Sequence, residues 1–282
     1  MIMMFSRQRV LLSAISALGG KGIFSKTFLV KALFLLRQRL GFAAIGYDFF
    51  PYKYGPFSMQ VYDDIGYLER ENLLEGKSLC LTEKGKLVCS EIEIPPAVQG
   101  EMQALLGEFH NAEEIKQFVY AQYPAFTVCS NKPAMPRKTG QGICSIGYEG
   151  RTIDGFLDTL IQNNVSVLVD VRNNAFSMKK GFSKKQLKER LAMAGIAYMH
   201  APKLGIESKK RKNIENTGQR EKLFQEYKAG LSEKEPEIRE IAALAKKQKI
   251  ALMCFEADPL QCHRQVLIQK IEESHQMRAS CI

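Results

Sequence analysis

No apolar run in this 282-residue chain approaches the roughly 20 residues needed to cross a bilayer, so no membrane association is expected. The opening residues, Met1-Ile2-Met3-Met4-Phe5, are apolar, but Arg7 and Arg9 interrupt them and no small-residue cleavage site follows, which argues against a secretory leader. The seven cysteines, at 80, 89, 129, 144, 254, 262 and 281, are odd in number and contain no CxxC pair. That usage speaks against a disulfide framework and for a reduced, cytoplasmic chain. Internal repeats and low-complexity tracts are absent. Acidic residues are scarce in one place: from Arg172 to Lys222 there are 14 Lys and Arg against 4 Glu and no Asp, an excess equal to the whole chain's net charge of +10. Such a segment attracts phosphates through Coulomb forces and counterion release, or is a solvated surface that keeps the protein soluble.

What is present suffices for two folded domains: 45% hydrophobic and 25% charged residues are ordinary for a globular chain of this length. The stretch 131–140 lacks periodicity and holds Pro133 and Pro136, which makes it the expected linker between a domain at 1–130 and another at 141–282. In the first, helical patterns run over 7–18 and, capped by Ser25, over 28–40. Gly55-Pro56 is expected to turn the chain, and Ser58 to cap a third helix to about Asn72 with Val61, Ile65 and Leu68 on one face. Two short strands, 73–74 and 79–81, are expected around Gly76-Lys77, then a helix capped by Thr82 and a closing helix over 116–130. Helices, a two-strand wing and a helix are the order of an α+β winged helix.

Tyr52-Lys53-Tyr54-Gly55-Pro56-Phe57-Ser58 and Leu81-Thr82-Glu83-Lys84-Gly85 resemble the winged-helix modules related to Panacea, the SocA-like antitoxin domain. The resemblance implies a DNA- or protein-binding module. The third helix carries Asp63, Asp64, Glu69 and Glu71 against Arg70 alone, which favours a protein partner or a purely structural wing over the major groove.

The second domain alternates. Strands are expected at 143–146, 165–171, 196–200 and 249–255, and helices at 153–162, 186–194, once or twice between 217 and 248, and at 264–274. Regular alternation with β-branched strands implies an α/β, Rossmann-like, mostly parallel sheet with flanking helices. Ligands of such sheets bind beyond the carboxyl ends of the strands. There the chain places Tyr148-Glu149, Asp170-Val171-Arg172-Asn173, His200, Glu256, and Cys262-His263-Arg264.

Three chemistries fit this set. Asp170 or Glu256 serves as general base or charge stabiliser with Tyr148 and Glu149 beside it, while Arg172 and Arg264 clamp an anion with Asn173. That combination suits hydrolysis or glycosidic cleavage on a phosphate-bearing polymer, whose backbone Lys179, Lys180, Lys209, Lys210, Arg211 and Lys212 would hold. A Cys262 thiolate next to His263 is the second, on a small anionic substrate. The Val169-Asp170-Val171-Arg172 strand resembles rhodanese domains, but Cys262 lacks their glycine-rich loop. Structural zinc is the third; Cys254 with adjacent Cys262-His263 has the wrong spacing for a zinc ribbon, so no metal and no other cofactor is expected. A structural ion pair of Asp170 with Arg172 or Arg264 is the non-functional reading of the same residues.

Ile146-Gly147-Tyr148-Glu149-Gly150, Val169-Asp170-Val171-Arg172-Asn173, Gly181-Phe182-Ser183, Leu204-Gly205, and Cys254-Phe255-Glu256-Ala257-Asp258-Pro259 through Cys262-His263-Arg264 resemble the domain of unknown function 488 family, in the same order over about 140 residues. The resemblance implies a Rossmann-like fold that groups these residues. It brings no agreed reaction; links to nucleic-acid processing and prokaryotic defence are by association. The leading expectation is therefore a cytoplasmic protein acting on or bound to DNA or RNA, in repair or defence. The rivals are a non-catalytic, antitoxin-like interaction module and a Cys-dependent enzyme.

Overall fold

The computed structural model describes residues 3–23, 25–75, 79–132, 138–211 and 217–282. The chain divides into two compact units, Met1–Pro136 and Arg137–Ile282. Among the described residues no helix is long and apolar enough to cross a membrane.

The N-terminal unit is built around α2 (Lys26–Leu40), which follows α1 (Ser6–Gly20) and precedes the short α3 (Phe42–Ile45). Nine consecutive residues of α2, Phe28 to Leu36, are buried, which is what a helix with apolar residues on every side does. Ser25 caps it by accepting a hydrogen bond from the Phe28 N–H. β1 (Phe50–Tyr52) and β2 (Gly55–Phe57) form an antiparallel hairpin. Gly55-Pro56 therefore lies in a strand, and the turn falls on Lys53-Tyr54, with Gly55 taking the left-handed φ of 84°. α4 (Met59–Arg70) starts on its Ser58 cap, as its spacing implies, and stops two residues before Asn72.

The expected two strands of a wing reduce to a single bridge, Leu74 to Leu81. The arms are short because Asn72, at a φ of 58°, ends the approach on one side and Thr82, capping α5 (Glu83–Ser90), ends it on the other. Gly76 and Lys77 lie outside the described residues. α6 (Pro96–Glu108) follows, with proline at its first position where no donor is lost. The closing helix α7 is Ala112–Gln122 rather than 116–130. Asn111 caps it with two backbone bonds, and Tyr123-Pro124 ends it because proline disfavours helix in the residue before it.

The C-terminal unit runs β3 (Gly142–Gly147), α8 (Ile153–Gln162), β4 (Val167–Asp170), α9 (Lys184–Met193), β5 (Ala197–His200), α10 (Ser208–Arg211), α11 (Thr217–Ala229), α12 (Glu235–Lys247), β6 (Lys249–Cys254), α13 (His263–His275) and β7 (Ala279–Cys281). The five strands form one parallel sheet in the order β5-β4-β6-β3-β7, flanked by helices, as the alternating pattern implies. β3, β4 and β6 are buried on both faces, so their side chains read as continuous apolar runs. The order has a functional consequence. β6 inserts between β3 and β4, pairing Gly147 with Cys254 and Asp170 with Met253, so three strand ends distant in sequence become neighbours.

Candidate functional site

At the end of β4 the Asp170 carboxylate is completely buried and fully engaged. Its Oδ1 accepts from the Arg172 backbone N–H at 3.1 Å and from Nε at 2.8 Å; its Oδ2 accepts from Arg172 Nη2 at 2.6 Å and from the Tyr198 hydroxyl at 2.7 Å. Arg172, 3% exposed, spends its other donors on the Tyr148 hydroxyl at 3.0 Å and the Phe182 carbonyl at 3.0 Å. Burial alone would lower the Arg172 pKa, but Asp170 and Tyr148 outweigh it and hold it above its ordinary value. The Tyr198 phenol is pushed up, first by burial and then by Asp170. Tyr148 is itself buried, stacked on Phe182 at 4.4 Å between centroids.

The end of β3 is locked to the loop after β6. Tyr148 and Glu149 both donate their backbone N–H to the Phe255 carbonyl, and Glu149 Oε2 accepts from Ala257 N–H at 2.9 Å. This approach requires Gly147: a Cβ there would lie 1.9 Å from the Glu256 carbonyl oxygen. Arg264, the largest fully buried side chain, staples the same loop, donating to Ser145 Oγ at 2.6 Å, the Glu256 carbonyl at 2.6 Å and the Ala257 carbonyl at 3.2 Å. Both arginines expected to clamp an anion thus have their donors committed to internal acceptors.

Beneath that loop the ends of β6 and α13 bring together Cys254, Cys262 and His263, with every ligand atom within 4.8 Å of the others. His263 Nδ1 lies 3.8 Å from Cys254 Sγ and 3.9 Å from Cys262 Sγ, and Nε2 lies 3.3 Å from the Val171 carbonyl. Nε2 thus faces that carbonyl while Nδ1 faces the sulfurs. Cys254 titrates low because Cys262 donates its S–H to it, with His263 adding to the effect against burial; Cys262 goes up, through burial and through that neighbouring thiolate. Glu256 stands above the pair. Burial would raise its pKa, yet the two thiols and His263 hold it below the usual range, and its Oε2 is buried without a hydrogen-bond partner.

The remaining expected binders are scattered. Lys179 Nζ donates to the Tyr148 carbonyl at 2.9 Å, and Asn173 Nδ2 to the Pro202 carbonyl at 3.3 Å. Lys180 is exposed on the β4–α9 loop, and Lys209 and Lys210 are exposed on α10. The side chain of Arg211 and the whole of Lys212 lie outside the described residues. Several participants carried no signal strong enough to be singled out. Tyr198 reads as a strand aromatic, and Cys254 is set aside by its spacing although the fold brings it beside Cys262 and His263. Phe176 and Met178, 65% and 90% exposed beside the basic residues, stand out only once burial is known.

Residues 152–271 match the family described as Domain of unknown function DUF488. No curated protein and no solved structure matches the chain.

Proposed function

We propose that the C-terminal unit binds nucleic acid, as a single strand, along the carboxyl edge of its sheet. The β4–α9 loop carries the reading. Phe176 and Met178 project into solvent where a folded monomer ordinarily hides large apolar side chains, and Lys180, Lys184, Lys185 and Lys188 are exposed on the same loop and the helix that follows. An exposed aromatic interleaved with cations is the chemistry of strand binding: rings stack on bases while ammonium groups follow the phosphates. Phe255, 42% exposed and packed edge-on against Tyr148, extends the apolar edge.

Were the bound strand hydrolysed or its glycosidic bond cleaved, Glu256 is the carboxylate suited to general-base work, because Asp170 has no lone pair left to accept a proton without breaking the Arg172 pair. The Cys-dependent alternative gains no support, since Cys254 and Cys262 are 0% and 1% exposed. For the N-terminal unit, the Ser58-capped helix, the Leu74–Leu81 bridge and α5 support the winged-helix reading, with α4 directed to a protein partner by Asp63, Glu69 and Glu71.

Fluorescence anisotropy with labelled single-stranded DNA, single-stranded RNA and duplex DNA tests binding. Affinity should favour single strands and fall with salt. Equal affinity for Phe176→Ala and wild type, or salt-independent binding, would remove the proposal. Incubation of the same strands with wild type and Glu256→Gln tests catalysis separately.

A further inference from the structure

We infer that Cys254, Cys262 and His263 form a binding site for a thiophilic divalent metal ion of the zinc class. The inference stands apart from nucleic-acid binding and needs none of the residues invoked for it.

The donor set is the first argument. Two sulfurs and one imidazole nitrogen, all buried, meet in one spot at the end of β6 and the start of α13. A tetrahedral zinc ion bound at about 2.3 Å by sulfur and about 2.0–2.1 Å by nitrogen brings its ligand atoms to about 3.6 Å from each other. The two sulfur-to-nitrogen separations, 3.8 and 3.9 Å, lie within a few tenths of an ångström of that value. Soft thiolates with an imidazole select zinc-class ions over magnesium or calcium.

The second argument is the orientation of His263. Metal-bound histidines nearly always donate their other ring N–H to a carbonyl or carboxylate, which fixes tautomer and ring plane. His263 Nε2 has the Val171 carbonyl at 3.3 Å, and Tyr227 packs edge-on at 5.4 Å between centroids, so Nδ1 is aimed at the sulfurs from a held ring.

The third is Glu256. Its Oε2 is buried with no hydrogen-bond partner, while the side chain adjoins both thiols. A buried carboxylate oxygen without a partner is costly as it stands, and a cation held by the adjoining sulfurs and imidazole offsets its charge. Charge also balances: two thiolates and a neutral imidazole around a dication leave no net charge. The chain reaches this arrangement because the Asp258-Pro259 turn folds Cys262 and His263 back over the end of β6.

The test is titration of the reduced, metal-stripped full-length protein with cobalt(II), read by absorption, with zinc content of the purified protein measured in parallel. One equivalent of cobalt should bind with the intense visible bands of a tetrahedral site and a near-ultraviolet sulfur-to-cobalt charge-transfer band, and zinc should displace it. Cys254→Ser and Cys262→Ser should each weaken the charge-transfer band. Cys80→Ser and Cys281→Ser should bind as wild type does. A wild-type protein that binds no cobalt under reducing conditions, or binds it without a charge-transfer band, overturns the inference even if the cysteine variants fail to fold. So does unchanged binding in Cys254→Ser.

Discussion

Arg172 reaches back two residues to grip Asp170 through Nε at 2.8 Å and Nη2 at 2.6 Å, a two-pronged ion pair sealed inside the protein at the end of β4. With Tyr198 on one side and Tyr148 and Phe182 on the other, it ties β5, β3 and the β4–α9 loop to one strand end. The pair is a fastening among elements. That arrangement is why the carboxylate serves the fold before it can serve chemistry.

Asp170→Asn should therefore unfold more easily, by about 3–5 kcal/mol, because it leaves the Arg172 charge buried without its partner. Urea melts monitored by circular dichroism measure it. Wild-type stability combined with lost activity would instead make Asp170 a catalytic base. Tyr198→Phe removes one hydrogen bond to the charged carboxylate and should cost less, about 1.5–3 kcal/mol.

Gly147→Ala should destabilise the C-terminal unit by at least about 1–3 kcal/mol, the usual cost of overpacking a tight interior. Its Cβ would meet backbone rather than a side chain that can swing away: the Glu256 carbonyl oxygen at 1.9 Å and Ala257 Cα at 2.9 Å. A fully stable Ala variant would mean that the two loops are not held in this contact.

Lys31 makes the N-terminal unit pH-sensitive. Its ammonium is buried in α2, donates to the Pro56 carbonyl at 2.7 Å, and is pulled from 10.5 down to about 7, first by burial and then by Lys116. Between these two values the unfolded chain holds a proton that the folded chain has released. Stability should accordingly rise with pH across that window, by up to about 1.4 kcal/mol per pH unit, and be flat below about 7, where both states are protonated, and above about 10.5, where neither is. Denaturant midpoints of wild type and Lys31→Met at several pH values check this; the variant should lose the slope.

Phe176→Ala should weaken single-strand binding by about 1–3 kcal/mol, the worth of one stacked base, without changing the salt slope. Reversing Lys180, Lys184 and Lys185 to Glu should instead flatten the slope, since each phosphate neutralised contributes to counterion release. Anisotropy titrations at several salt concentrations separate the two effects.

Local chemistry made much of the fold legible. Ser25, Ser58 and Thr82 announce helix starts because a short side chain that accepts from the first turn acts on neighbours in sequence. β3, β4 and β6 announce themselves because burial on both faces demands unbroken apolar runs, whereas the short, exposed β7 carries no such signal. Asp64 shows where local reading stops. One of the acidic residues of α4, it is 5% exposed and bonded to Arg7, Gln8 and Tyr47, partners as many as 57 positions away, so its charge tells little about what α4 meets outside.

By itself the chain's order of residues determined the alternation of strands and helices, the basic segment, and the return of ionisable groups at strand ends, because each depends on periodicity or composition over a few residues. Only the tertiary structure decided which of those groups are committed and which are open. Placing β6 between β3 and β4 engages every guanidinium nitrogen of Arg172 and Arg264 internally, while gathering Cys254 with Cys262 and His263 close to Glu256. Strand order follows from how whole faces bury one another, and no short stretch of sequence carries that information.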